Sequence, residues 1–415
     1  MTKVDNRLAY LTHNVPGVGG RMKTVPGDFR VEEIPLYEAS GEGTHTYFLL
    51  EKEGVTTIQA VRQVARALDV PEREIGYAGL KDADAITRQV MSVEHIDPAR
   101  VLELSLPRIR IEWARPHRNK LKLGHLWGNR FVIRIRETDT SRCDDVRAML
   151  ATLERKGVPN YFGPQRFGRR GDNWEIGRAI IRQDWRAATD ALLGRPLASE
   201  GPDVRRAREA YEAQDYAGAA DAWPPSFRDE KRACRALAQT QGAHKRAVLS
   251  INMTLRRLYL SAFQSYLFNS IVAARQSTLD QLIVGDLAWR HASRSVFSVE
   301  DAAVEQPRCD AFEISPSGPL FGYRMTEAKG EPGATEARVL AESGLEPRSF
   351  RQPGGHKTKG ARRPLRFQPT DIAVETGQDE HGPYLELRFA LRAGCYATAL
   401  LREVCKTPAF DVPTA

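Results

Sequence analysis

Cysteine is scarce in this sequence, and no arrangement of its cysteines or histidines is typical of a metal site. The five cysteines are an odd number and include no Cys-x-x-Cys pair. The nine histidines are scattered, without His-x-x-x-His or His-Glu-x-x-His spacing. Zinc sites and disulfide frameworks depend on such spacings. We therefore expect neither a bound metal nor disulfides, and a reducing cytosol fits this composition.

Long apolar runs and nucleotide-binding glycine motifs are also missing. No apolar run reaches the roughly 18 residues that suggest a transmembrane helix, and the first residues lack an apolar signal core. Gly17-Val-Gly-Gly20 is not a dinucleotide fingerprint, and no Walker A sequence occurs. These absences predict a soluble, cytoplasmic protein with no membrane partner and no cofactor.

Basic residues are in excess, and aromatic residues are interleaved with many of them. The 415 residues carry a net charge of +8, and a chain of this length usually forms two or more domains. Phosphates need cations and unpaired bases need flat faces, so this mixture favours RNA as the partner. The alternative is that the aromatics are core and the charges a solvated face. The basic segments are 108–122, 166–170 and 351–366.

Hydrophobic periodicity predicts a mixed α and β pattern at both ends of the chain and a helical block between them. Apolar helical spacing predicts helices that start at Thr56 or Thr57 and at Ser141, two or three more in 203–245, and further ones at 249–275 and 397–406. Residues 325–363 are predicted to be loop-heavy. The pattern indicates one sheet-based domain with an insertion. The predicted strands are 28–35, 45–51, 88–93, 107–113, 120–126, 129–137, 365–375 and 384–392.

The segment Gly76–Gln89 carries the strongest chemical signal. Asp82 directly follows Lys81, in a loop between a helix end and an apolar strand. A carboxylate beside a fixed cation stays ionised and acts as a nucleophile or a base. Two alternatives remain from the residues alone. One is a solvated ion pair in a surface turn, and the other is a metal-dependent nuclease or hydrolase that uses Asp82 and Asp84.

The same segment resembles the signature of the TruD family of pseudouridine synthases. The resemblance lies in Gly79–Ala85 followed by Thr87 and Gln89. Further blocks resemble family motifs, run in family order and span nearly the whole chain. These blocks are Lys23–Glu33, Lys122–Gly124 with Gly128–Phe131, Asn160–Gly168, Ser261–Asn269 and Arg392–Glu403.

The resemblance implies an α+β fold, with a mixed, mainly antiparallel sheet flanked by helices and an inserted helix-rich α/β TRUD domain. The catalytic domain would comprise residues 1–157 and 361–415, and the insertion residues 158–360. The implied activity is the isomerisation of uridine to pseudouridine in RNA, at position 13 of transfer RNA in bacterial members, without a cofactor. We expect a monomer that binds transfer RNA. A non-catalytic RNA-binding protein on the same scaffold is the alternative.

The resemblance also implies roles for individual residues. Asp82 would be the catalytic aspartate and Lys23 its basic partner. Phe131 would stack on the target uracil, and Asn129 would help to shape the pocket. Whether Asp82 attacks C1′ of the ribose or removes the 2′ proton stays open. The remaining candidate substrate-binding residues are Lys81, which could instead anchor the backbone, and Gln165 and Arg166.

Overall fold

The structure, a computed structural model, describes residues 9–351 and 357–410. The chain divides into two compact units. The first, which we call the sheet unit, comprises residues 10–158 and 367–408, and the second, the insert unit, is formed mainly by residues 159–366. No helix within the described residues is long and apolar enough to cross a membrane.

Strands and helices alternate along the chain, with most of the strands near its two ends. The strands are β1 (Phe29–Pro35), β2 (His45–Glu53), β3 (Gly76–Tyr77), β4 (Ile86–Glu94), β5 (Ile109–His117), β6 (Leu126–Arg136), β7 (Val158–Pro159), β8 (Leu287–Arg290), β9 (Val296–Ser298), β10 (Ile314–Leu320), β11 (Ala361–Pro364), β12 (Arg366–Phe367), β13 (Thr370–Asp379) and β14 (Gly382–Arg392). The helices are α1 (Thr57–Leu68), α2 (Pro98–Leu102), α3 (Cys143–Lys156), α4 (Asn173–Arg182), α5 (Trp185–Leu193), α6 (Pro202–Glu212), α7 (Tyr216–Ala222), α8 (Arg228–Gln239), α9 (His244–Ser250), α10 (Met253–Ala274), α11 (Ala302–Asp310), α12 (Gly330–Glu342) and α13 (Ala397–Cys405).

A mixed sheet forms the centre of the sheet unit. Its strand order is β13-β14-β6-β1-β4-β2-β5, and β3 also pairs with β4. Only β1 and β4 run parallel among the strand pairs of this sheet in the described residues, and the other pairs are antiparallel. Helix α1 packs Val61 and Val64 against Phe48, Leu50 and Met91 of the sheet. This architecture confirms the predicted α+β class with a mainly antiparallel sheet.

Strand register brings residues from distant parts of the sequence onto one face of this sheet. Directly paired residues point to the same face, and successive residues alternate between faces. One row across the sheet consists of Phe389, Phe131, Val31, Thr87 and Lys52. The next row on that face contains Leu391, Asn129, Glu33, Gln89 and Leu50. In this row Leu391 pairs with Asn129, Asn129 with Glu33, and Gln89 with Leu50.

Helix α1 shows why the sequence prediction succeeded in this part of the chain. The hydroxyl of Thr56 accepts a hydrogen bond from the backbone N–H of Gln59, which caps the first turn. Asp69, in the left-handed region at φ 57°, ends the helix. The start of the helix agrees with the predicted start at Thr56 or Thr57.

The insert unit combines helices α4–α11 and α12 with a small sheet of order β11-β10-β8-β9. Its strand pairs are antiparallel. Strand β11 pairs with β10, so residues 361–364 belong to this unit by their hydrogen bonds. The sequence predicted domain boundaries at 157/158 and 360/361, and the chain divides into its two units at 158/159 and 366/367.

Two predictions of local structure were wrong, and a third had the wrong start. The predicted helix 249–275 is present as α10 but begins at Met253, because Asn252 accepts a hydrogen bond from the Thr254 N–H and caps the helix there. Residues 330–342, predicted as loop, form α12. The predicted strand 120–126 is a turn before β6, because Gly124 adopts φ 87° and donates its N–H to the Ala78 carbonyl.

Candidate active site

Asp82 lies in the loop between β3 and β4 and contacts Lys23. The Lys23 Nζ donates to Asp82 Oδ2 at 2.8 Å, and the two side chains are 32% and 48% exposed. Lys23 adopts φ 59°, just before β1, and its Nζ lies 4.4 Å from the centre of the Phe29 ring. The pairing proposed from the sequence is therefore present in the structure. The Asp82 carboxylate is half exposed.

Buried side chains from α1 and β4 hold the backbone of this loop. The Thr57 hydroxyl accepts from the Lys81 N–H at 2.8 Å and donates to Gln89 Oε1 at 3.0 Å. The Gln89 amide donates to the Gly79 carbonyl at 3.3 Å. Thr57 and Gln89 are buried. Their bonds fix the loop from the side of the sheet, which is the support that a precise reactive group needs.

Lys52, at the end of β2, holds the loop at residue 82 itself. Its Nζ donates to the Asp82 carbonyl at 2.7 Å and to the Val55 carbonyl at 2.6 Å. The residue is only 1% exposed. Burial lowers the pKa of the Lys52 ammonium from 10.5 to about 8, and the negative charge of Asp82 opposes this shift. A buried cation is thus placed beside the Asp82 loop.

Lys81 pairs with Glu33 inside the sheet unit. The Lys81 Nζ lies 2.7 Å from Glu33 Oε2, and the other carboxylate oxygen accepts from the Val90 N–H at 3.3 Å. Burial raises the pKa of Glu33 above its usual 4.5, and the Lys81 ammonium opposes this shift. Of the two roles considered for Lys81, this geometry supports the anchoring one.

Phe131 and Asn129 lie two residues apart on β6 and share the face that carries Glu33 and Lys52. Phe131 is buried, stacked on Phe389 with ring centres 5.2 Å apart. Asn129 Oδ1 is buried and has no hydrogen-bond partner among the described residues, and the same holds for Thr87 Oγ1. Buried polar atoms are nearly always hydrogen-bonded, so the described residues leave the hydrogen-bonding capacity of these two atoms unused.

Comparisons with known proteins give one consistent family. The family model for tRNA pseudouridine synthase D (TruD) matches residues 6–404. The chain is 47% identical over 408 residues to the tRNA pseudouridine synthase D of Geobacter sulfurreducens, covering 98% of this chain and 99% of the relative. It is 49% identical over 397 residues to that of Geobacter metallireducens, covering 96% of this chain and 97% of the relative.

This chain belongs to the tRNA pseudouridine synthase D (TruD) family. A solved structure from Methanosarcina mazei, described as a candidate tRNA pseudouridine synthase D, matches with a TM-score of 0.87. The two chains are 26% identical, and the match covers 97% of each. The TruD fold implied by the sequence motifs is therefore confirmed.

Gln165 and Arg166, the other two candidates from the TruD motifs, lie in the insert unit. They belong to a short 3-10 turn at Pro164–Phe167. Arg166 donates to the hydroxyl of Ser265 at 3.0 Å and also to that of Ser261, both on α10. These bonds anchor the turn to the helix. A substrate-binding role for both residues stays a prediction.

The last basic segment was predicted to bind RNA, but two of its arginines are buried, whereas Arg351, Lys357 and Lys359 are exposed. Arg362 is buried and binds both oxygens of Glu336 at 2.8 and 2.7 Å. Arg366 is fully buried, and Arg363 donates to the Asn160 side chain. The predicted RNA-binding role was wrong for Arg362 and Arg366, because charge counted along the sequence does not show which buried acceptors other elements supply. Arg362 binds the Glu336 carboxylate, and Arg366 donates to the Cys309 carbonyl.

Sequence reasoning missed three residues of the candidate site, Lys52, Thr57 and Glu33. Lys52 lies one residue beyond the predicted strand 45–51, on the face of β2 that also carries Phe48 and Leu50. Thr57 was considered only as a helix cap. Glu33 was noted only as part of the opening motif.

Proposed function

We propose that this chain converts uridine to pseudouridine in transfer RNA, at uridine 13, with Asp82 as the catalytic residue and without a cofactor. The observation that carries the proposal is the contact between Asp82 and Lys23 on a loop whose backbone is held by buried side chains. Membership of the TruD family and relatives named tRNA pseudouridine synthase D support the activity.

The reaction is an isomerisation whose atoms balance without any other reactant. The bond between C1′ and N1 breaks, a bond between C1′ and C5 forms, C5 loses a proton and N1 gains one. Asp82 either attacks C1′ or takes the 2′ proton. Because Lys23 occupies Oδ2, we assign Oδ1 to this step. A primary isotope effect with deuterium at C2′ would identify proton removal as the route.

The pocket must hold a uracil that has left its stack, at a cost of a few kcal/mol. We assign the unpaired Asn129 Oδ1, on a partly exposed residue, to a polar edge of this ring. Phe131 would contribute a flat apolar surface on the same face. Holding the detached uracil beside the ribose makes its rejoining effectively intramolecular. Exposed basic residues would bind the RNA phosphates.

The test uses a matched pair of variants in one loop. Asp82→Asn keeps the shape of the side chain but removes the carboxylate, and we expect the rate of pseudouridine formation to fall by at least about 10²–10⁴-fold. Asp84→Asn changes an exposed carboxylate two residues away and should leave the rate nearly unchanged. Pseudouridines are mapped at single-nucleotide resolution on an unmodified transfer RNA transcript.

Further arms of this experiment separate the alternatives. A transcript with cytidine at position 13 should remain unmodified, whereas modification elsewhere would refute the assigned position. Activity after dialysis against EDTA, with the RNA still full length, excludes a metal-dependent nuclease. Tight binding without any pseudouridine from the unaltered protein would show instead that the chain is a non-catalytic RNA-binding protein.

A further inference from the structure

Lys52 is a lysine at a position where the strand pattern calls for an apolar residue. The inward side chains before it on β2 are Phe48 and Leu50, and both are fully buried. Lys52 points to the same face, and its register partner is Thr87. Lysine side chains are almost never fully buried unless their ammonium is paired. The residue therefore needs an explanation beyond packing.

The hydrogen bonds of Lys52 go to main-chain atoms. Its Nζ donates to the carbonyl of Val55, at the turn that leads into α1, and to the carbonyl of Asp82. Losing the hydration of an ammonium costs several kcal/mol unless new bonds replace it. In this protein one of the replacing hydrogen bonds connects the end of β2 to a peptide unit of the loop between β3 and β4.

The peptide unit that Lys52 holds belongs to the residue assigned to catalysis. Thr57 holds the N–H of residue 81 and Gln89 the carbonyl of residue 79, so both act before Asp82 in the chain. Lys52 alone among these three supports binds residue 82. It is also the only one that carries charge, and it faces two charged groups of the loop, the Asp82 carboxylate and the Lys81 ammonium.

We infer that Lys52 is a positioning residue for the reaction, which fixes the main chain at residue 82 so that the Asp82 carboxylate keeps its distance and direction towards Lys23 and the substrate. The inference rests on the proposed function, because it assigns the purpose of the fixed loop. Lys52 does not touch substrate in this assignment. Its effect passes through the Asp82 carbonyl, and a displacement of about 1 Å at a reacting group can lower a rate by about 10²-fold.

The test compares Lys52→Met with a matched lysine in the same unit. Methionine keeps an unbranched apolar stem and removes the donors and the charge. Lys406 also donates to two main-chain carbonyls, those of Thr12 and Val15, in a segment without a predicted site residue. Lys406→Met therefore controls for the general loss of such an anchor. Single-turnover rates and dissociation constants for the transfer RNA transcript are measured well below each variant's unfolding temperature.

We expect Lys52→Met to lower the single-turnover rate by about 10²-fold while the dissociation constant stays within a few-fold. Lys406→Met should change neither value. Hydrogen exchange of a peptide covering residues 79–85 should accelerate in Lys52→Met and not in Lys406→Met. Lys52→Arg, which keeps the charge and the donors, should recover part of the rate. It also serves as the informative variant if Lys52→Met does not fold.

Other results would overturn the inference. A normal single-turnover rate in Lys52→Met would overturn it. Equal rate losses in Lys52→Met and Lys406→Met would also overturn it, because they would indicate general destabilisation. Faster exchange throughout the sheet unit, instead of at residues 79–85, would also refute it. If the unaltered protein makes no pseudouridine, the proposed function fails, and the exchange measurement still decides whether Lys52 holds the loop.

Discussion

Lys81 and Glu33 form an ion pair whose side chains are only 5% and 1% exposed, whereas the adjacent residue Asp82 pairs with Lys23 at 48% and 32% exposure. Consecutive residues of one loop thus enter two different kinds of pair. The first is sealed within the sheet unit and supports the loop. The second is open to solvent, where a substrate can reach it. The two pairs should respond differently to substitution.

The buried pair should dominate stability. Lys81→Met leaves the Glu33 carboxylate buried without its cation, and we expect the free energy of unfolding to fall by about 3–5 kcal/mol. Urea unfolding followed by circular dichroism measures this loss. The exposed pair of Arg62 and Glu72, with side chains 62% and 56% exposed, provides the control. Arg62→Ala should cost at most about 1 kcal/mol. Similar losses in both variants would contradict the assignment.

Lys52 should give the reaction an alkaline limit. Its pKa of about 8 means that the ammonium loses its proton, and with it the charge beside Asp82, as the pH rises through this value. We expect the single-turnover rate to fall above pH 8 in the unaltered protein. An arginine stays charged at this pH, so the residual activity of Lys52→Arg should lack this fall. A decline of the same shape in both proteins would assign the limit to another group.

The lowered pKa of Lys52 should affect stability and activity in opposite directions as the pH rises. The folded-state pKa of about 8 lies below the usual 10.5, so the unfolded chain holds more protons between these values. The contribution of Lys52 to stability therefore rises with pH in this window. From pH 8 to pH 10, the thermal unfolding temperature of the unaltered protein should rise relative to that of Lys52→Met, while its single-turnover rate falls.

Asp379 should make the sheet unit sensitive to acid. Hydrogen bonds from Arg136, which also binds the buried Asp28, hold the pKa of Asp379 far below its ordinary 3.8. A depressed pKa stabilises the fold above the unfolded value and loses this effect as the pH falls towards the folded value. Below about pH 4, the stability of the unaltered protein should therefore decline more steeply with pH than that of Asp379→Asn. Parallel curves in acid titrations would disprove this linkage.

RNA binding should depend on exposed cations and not on Arg362. Lys122 is exposed in the first basic segment, and Lys122→Ala should reduce the slope of binding affinity against salt by about one unit. Arg362→Ala should instead lower stability, because Glu336 would stay buried without its partner. Arg62→Ala, outside the basic segments, controls for net charge. An unchanged slope in Lys122→Ala would remove this residue from the RNA interface.

Local signals were sufficient for much of the sheet unit. Strand β1 and helix α1 were predicted correctly because alternation in the strand and a threonine cap of the helix both agree with the final structure. Helix α12 was missed because Gly330, Pro332 and Gly333 are typical of loops. Proline is well tolerated in the first turn of a helix, and composition averaged over a window does not recognise that position.

The site was predictable only where side chains carry a motif. Asp82 was singled out by its position beside Lys81 in a loop, its pairing with Lys23 was implied by the family resemblance, and the structure brings the two residues together. The support by Lys52 could not be predicted, because its acceptor is a main-chain carbonyl 30 residues away in sequence. A main-chain acceptor has no residue type that a motif could specify. Arg362 shows the opposite error, in which a basic pattern suggested solvent and the fold supplied Glu336.

The pairing of β6 with β14 has a consequence for synthesis on the ribosome. Arg134 and Glu386, which bond across these strands, are 252 residues apart. Translation therefore releases β6 long before the strand that completes its hydrogen bonds exists. During that interval the nascent polypeptide presents an open strand edge, the feature that recruits unwanted partners and that chaperones shield.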